Sequence, residues 1–234
     1  MKYTITENTV FPLVEVFLTA DEYIQLESGA MVYHNGEIKL EGKMNSNGKS
    51  GIGGALRALG RSMTSGESFF ITKAIGLTNS AKVALAPSTP GTIKELQVGP
   101  QHWRLNTGAF LACDASVSYN MKRQKLSGAI FGGTGGLFIM ETAGSGSLLI
   151  NSYGDIIELH LDGSKPFIVD NQHVVAWSES LDYNIKVASG IFGFTTGEGV
   201  VNEFHGTGTI MIQTRNIQGL ADLVSPFIST GSSN

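Results

Sequence analysis

One apolar pattern occurs three times along the chain, and that repetition limits the folds open to it more than any other feature. Ile24-x-Leu26, Trp103-x-Leu105 and Phe167-x-Val169 anchor the copies, at offsets of 79 residues and then 64. Without a gap, the same offsets pair Met31 with Phe110 and Val174, and Val32 with Leu111 and Val175. They also pair Ile38 with Val117 and Leu181, and Leu40 with Tyr119 and Tyr183. Every one of these positions is apolar or aromatic in all three copies.

The spacing carries structure. Ile24/Leu26 and Ile38/Leu40 alternate with polar neighbours, the period of a strand with one buried face. Between them stand turn-forming residues: Glu27-Ser28-Gly29, Asn106-Thr107-Gly108 and Asp170-Asn171-Gln172. Upstream of each anchor runs a further alternating stretch, at Val14–Val16, Ile93–Val98 and Ile157–Leu161. Downstream, glycine-led strands are expected at Gly66–Ile71, Gly144–Ile150 and Gly206–Ile212, the glycines marking bulges or close backbone approach. Short strands punctuated by turns imply an all-β fold. The expectation is three tandem β-sandwich or short double-stranded β-helix units around a pseudo-three-fold axis, closed within one chain. Residues 1–234 would form a single compact domain of three repeats, about 1–80, 81–150 and 151–234. Ile217, Leu220, Val224 and Phe227 or Ile228 follow helical spacing, which predicts a short C-terminal helix lying over the β core as a lid. A helical turn is also expected at Ala55–Leu59.

Composition narrows the function. Charged residues are only 15% of the chain and the formal net charge is −4, so the sequence has no electrostatic pull toward nucleic acid. The single cysteine, Cys113, cannot form an intramolecular disulfide, and no Asn-x-Ser/Thr sequon occurs, which favours a cytoplasmic location. No apolar run reaches the length of a membrane-spanning helix.

Chemistry-bearing motifs are sparse. Gly48-Lys49-Ser50 ends like a phosphate-binding loop, but Lys43 stands where that loop needs its first glycine. His34, His102, His160, His173 and His205 are scattered without ligand spacing, so neither a metal, a cofactor nor a catalytic residue is assigned. Two places depart from the plain pattern. In Gly51–Arg61, Arg57 and Arg61 would share one helical face beside Leu56 and Leu59, suited to a phosphate, a carboxylate partner or peripheral contact with a membrane. Gly197-Glu198-Gly199 holds a carboxylate between two flexible residues in the third copy alone. Arg57, Arg61, Gly197, Glu198 and Gly199 are the candidate binding residues.

Across nearly its whole length the chain resembles the family named for altered inheritance of mitochondria, most of whose bacterial members are uncharacterised. The resemblance rests on Gly29–Tyr33, Gly66–Phe70, Gly108–Ala112, Phe167–Asp170, Gly197–Gly199 and Gly206–Arg215 taken together. It implies a fold similar to the tryptophan RNA-binding attenuation protein, present here in triplicate. It brings no catalytic residues and does not by itself imply RNA binding. The leading expectation is a non-enzymatic binding or scaffold protein for an unidentified protein or small-molecule partner. The alternative is an enzyme or small-molecule binder with a pocket between repeats, and RNA binding by fold analogy stands third.

Overall fold

The computed structural model describes residues 1–44, 70–123, 138–187 and 199–228. Nineteen strands, β1 to β19, account for most of them. After β1 (Lys2–Ile5), the strands fall into three sets of six. The first set is β2 (Val14–Leu18), β3 (Tyr23–Glu27), β4 (Met31–His34), β5 (Ile38–Met44), β6 (Phe70–Gly76) and β7 (Ala81–Leu85). The second is β8 (Gly91–Val98), β9 (Trp103–Asn106), β10 (Phe110–Asp114), β11 (Val117–Arg123), β12 (Phe138–Gly144) and β13 (Gly146–Tyr153). The third is β14 (Ile156–Asp162), β15 (Phe167–Asp170), β16 (Val174–Ser178), β17 (Asp182–Val187), β18 (Val200–His205) and β19 (Thr207–Gln213). The anchors of the sequence pattern lie on β3, β9 and β15, and the upstream alternating runs on β2, β8 and β14.

Four antiparallel sheets result among the described residues. The first runs β1-β2-β7-β4, the second β5-β6-β3-β10-β13-β8, the third β11-β12-β9-β16-β19-β14, and the fourth β15-β18-β17. Six added to every strand number of the second sheet gives the third. Each set therefore splits its strands between two neighbouring sheets, and the second and third sheets are each completed by two sets. The joints are the antiparallel pairs β3–β10 and β9–β16. A closed ring would need one further joint, β4 against β15; these strands instead end separate sheets.

Three apolar cores lie between successive sheets. Val16, Leu18, Ile24, Leu26 and Val83 fill the space between the first and second, and Phe110, Leu148, Leu105 and Val175 that between the second and third. Trp177, Phe204, Leu181 and Ile210 fill the last, where the Trp177 ring meets Tyr183 and Phe204 edge-on at 5.0 and 5.7 Å. The central strands are enclosed on both faces, as in β16, whose five residues are all buried. The same β-bulge recurs where each set's third strand meets its sixth, falling at Val32, Leu111 and Val175.

Two expectations are corrected. In the first set Phe70 and Ile71 belong to β6, the strand equivalent to β12 and β18; the strand matching β13 and β19 is β7. A loop from Leu77 to Ser80 leads into β7, where Ser145 alone separates β12 from β13, so the glycine-led entry has no counterpart there. The C-terminal helix, α1 (Ile217–Val224), is present but is no lid: none of its residues is buried, and Leu223 and, beyond its end, Phe227 are exposed. Where the glycine-led turn does occur, its geometry needs it. Gly144 has φ +79, and a Cβ there would sit 2.2 Å from the Ser116 carbonyl oxygen.

Candidate functional site

The sequence-derived candidates divide at the edge of the described residues. Arg57, Arg61, Gly197 and Glu198 lie outside them, as do Ala55–Leu59 and the Gly48-Lys49-Ser50 run, so neither arginine-bearing turn nor carboxylate is placed in a site. Gly199 is described: it precedes β18 with φ +40 and no atom within 4 Å of where a Cβ would stand. Among the described residues, no group of three or more His, Cys, Asp or Glu side chains is placed to hold a metal ion. Cys113 is buried on β10 beside the Gln25 amide, and burial pushes its thiol up to about 12, which leaves it a poor nucleophile.

A cavity of about 440 Å³ opens where all three strand sets come together. Glu27 and Thr89 come from the first set and its exit, Asn106 and Asn151 from the second, and Gln172 and Gln213 from the third; Ile217 at the start of α1 also lines it. Its lining among the described residues holds five carboxamides and no lysine or arginine.

The local sequence explains how these groups arrive. Glu27 ends β3, and the Ala30 amide donates to its carbonyl at 3.1 Å around Gly29, whose φ of +90 makes the turn type II. Asn106 and Asp170 end the corresponding strands β9 and β15. The three equivalent side chains do different work. Asn106 Nδ2 crosses the joint to donate to the Val174 and Asn171 carbonyls at 2.6 and 3.1 Å. Asp170 accepts from the Gln172 amide at 2.7 Å and caps its own turn. Glu27 makes no side-chain hydrogen bond or ion pair among the described residues. Burial pushes its carboxyl up to about 7.

The far wall is held by a chain of polar contacts. Gln213 accepts from the Tyr153 amide through Oε1 and donates through Nε2 to the Gln172 carbonyl, both at 2.9 Å. The Gln213 carbonyl lies 2.7 Å from His173 Nδ1, so that nitrogen carries the proton. His173 Nε2 then accepts from Asn216 Nδ2 at 2.8 Å, and Asn216 Oδ1 accepts from the Gly219 amide to cap α1. The side chains of Asn171 and Gln172 remain without hydrogen-bond partners among the described residues.

Sequence reasoning missed Glu27 as a site residue, having read Glu27-Ser28-Gly29 only as a turn. The available signal was its place: a carboxylate ending an apolar strand where the other copies hold Asn106 and Asp170.

The family model described as mitochondrial biogenesis AIM24 matches residues 3–215. The chain belongs to that family. An uncharacterised protein of Streptococcus pyogenes serotype M6 is 47% identical to this AIM24-family chain over 233 residues, covering 99% of this chain and 93% of the relative. An X-ray crystal structure of a Streptococcus pyogenes protein superimposes with a TM-score of 0.81 at 45% identity, covering 97% of this chain and 99% of that one. No helix among the described residues of the AIM24-family chain is long and apolar enough to cross a membrane.

Proposed function

We propose that the chain is a binding module whose cavity takes a small, polar, positively charged molecule. The observation that carries this reading is Glu27: a carboxylate of the first strand set, without an ion-pair partner among the described residues, in a cavity lined by carboxamides from the second and third sets. Carboxamides donate and accept and so suit hydroxyl, amine or amide groups. A carboxylate with no cation beside it favours an amine and disfavours a phosphate or carboxylate ligand. Among the described residues the same lining supplies no lysine or arginine for an RNA backbone. In this reading residues 1–234 are one domain of three units, and the cavity exists because the units meet.

The test is a calorimetric and thermal-shift panel of small amines and amino-polyols, with inorganic phosphate and neutral sugars as controls. Binding should be confined to the cationic compounds, and it should weaken as pH falls below about 7 because Glu27 is then protonated. Glu27→Gln should weaken it by about tenfold or more. An absence of shift across the amines, or an equal response to phosphate, sinks the proposal.

A scaffold role is the second reading, favoured by the exposed apolar residues Ile217, Leu223, Phe227 and Ile228 on and after α1. Arg57 and Arg61 would supply its polar contact, and a pull-down with wild type and the Arg57→Ala/Arg61→Ala variant tests both. Equal, empty profiles would remove that turn from the reading.

A further inference from the structure

We propose that copies of this chain join through their open sheet edges, β4 of one chain pairing antiparallel with β15 of the next. The two joints inside the chain define what such an edge accepts. In one, Leu26, Gln25 and Ile24 of β3 face Ala112, Cys113 and Asp114 of β10. In the other, Leu105, Arg104 and Trp103 of β9 face Ala176, Trp177 and Ser178 of β16. Carried through the offsets of 79 and 64, the same register sets Tyr33 against Val169, His34 against Ile168 and Asn35 against Phe167.

Burial at equivalent positions shows that this third joint lacks its partner. The bulge residue is Leu111 on β10 and Val175 on β16, exposed by 0% and 1% of their surface; on β4 it is Val32, exposed by 54%. Across the joint, Gln25 is 7% exposed and its equivalent Ile168 59%. The chemistry of that position differs as well. Gln25 Nε2 donates to the Val117 carbonyl and Arg104 Nη1 to the equivalent Leu181 carbonyl, each at 3.0 Å. Ile168 has no polar group to send across, so what it brings to a joint is apolar surface to bury.

Bare strand edges template pairing with another chain. Within one chain, β4 ends the first sheet and β15 begins the fourth, and among the described residues no strand pairs with the free edge of either. A second copy therefore supplies the partner edge. Because β4 and β15 are different surfaces, the contact is head-to-tail, and copies close into a ring of two or more. This inference is independent of the cavity and its ligand.

The test mixes two single variants, H34C and I168C, under mild oxidation; buried Cys113 stays in place. A disulfide-linked product of two-chain mass is expected from the mixture and not from either variant alone. Wild type should sediment above one-chain mass. Ile168→Lys, and separately Val32→Lys on the other edge, should raise the dissociation constant about tenfold or more while far-ultraviolet circular dichroism stays that of wild type. Three results would each overturn the proposal: one-chain mass for wild type at every concentration, a disulfide closing within one chain in H34C/I168C, or unchanged assembly in both folded lysine variants.

Discussion

Glu27, Asn106 and Asp170 stand at one structural position and show how much a single side chain decides there. Asn106 has amide hydrogens to give to the carbonyls across its joint, and Asp170 turns back to cap its own turn. An ionised Glu27 has no hydrogen to give, and burial raises its carboxyl to about 7. The folded state thus holds a proton that the unfolded chain releases near the ordinary value of 4.5. Stability should fall as pH rises from about 4.5 to 7 and level off above, because the folded chain binds the extra proton only in that window. Glu27→Gln should flatten the profile and be the more stable form at pH 8, by about 1–3 kcal/mol after solvent screening at the cavity mouth, as read by denaturant titration at several pH values. Asn106→Ala should cost about 1–3 kcal/mol at all pH values, since two carbonyls of the joint lose their donor. That pH-independent loss separates a stitching amide from a titrating carboxyl.

At the level of elements, the glycine turn between β12 and β13 is specified by geometry that no other residue meets. Gly144→Ala would force a left-handed backbone on a side chain and drive its Cβ into the Ser116 carbonyl. A loss of about 2 kcal/mol or more is expected, with a lower Tm and unchanged core fluorescence. This turn was legible in the sequence because Gly144-Ser145-Gly146 and Gly206-Thr207-Gly208 look alike. Strands β3, β9 and β15 were legible for the same reason: one apolar rhythm holds through both offsets. The register broke where insertions enter. Leu77–Ser80 lengthens the turn before β7, so a match by glycine settled on Gly66–Ile71 and took part of β6 for the last strand. The role of α1 was illegible for another reason. Helical spacing of Ile217, Leu220 and Val224 announces an apolar face, yet periodicity does not say whether anything lies against it. The cavity was hidden because its residues sit far apart along the chain and are gathered only by the sheet joints.

The whole molecule is a succession of cores, each walled by a sheet that the next core also uses. Phe110 and Leu111 are adjacent on β10, yet they belong to cores on opposite sides of the second sheet. Damage to one core must therefore reach its neighbour through shared backbone. Trp177→Ala, which empties the centre of the third core, should cost about 3–5 kcal/mol. Unfolding by calorimetry should remain a single transition at a lower temperature, because no set of strands owns a complete sandwich; two separated transitions would show that the sets fold independently. The splitting of each set between two sheets also bears on how such a gene can change length. An additional stretch equivalent to residues 91–153, spliced in after Tyr153, would meet on one side the edge that β14–β19 now meets and offer the same edge onward. The ends would be untouched, so chain length becomes a variable that duplication can alter in whole steps without inventing a new contact.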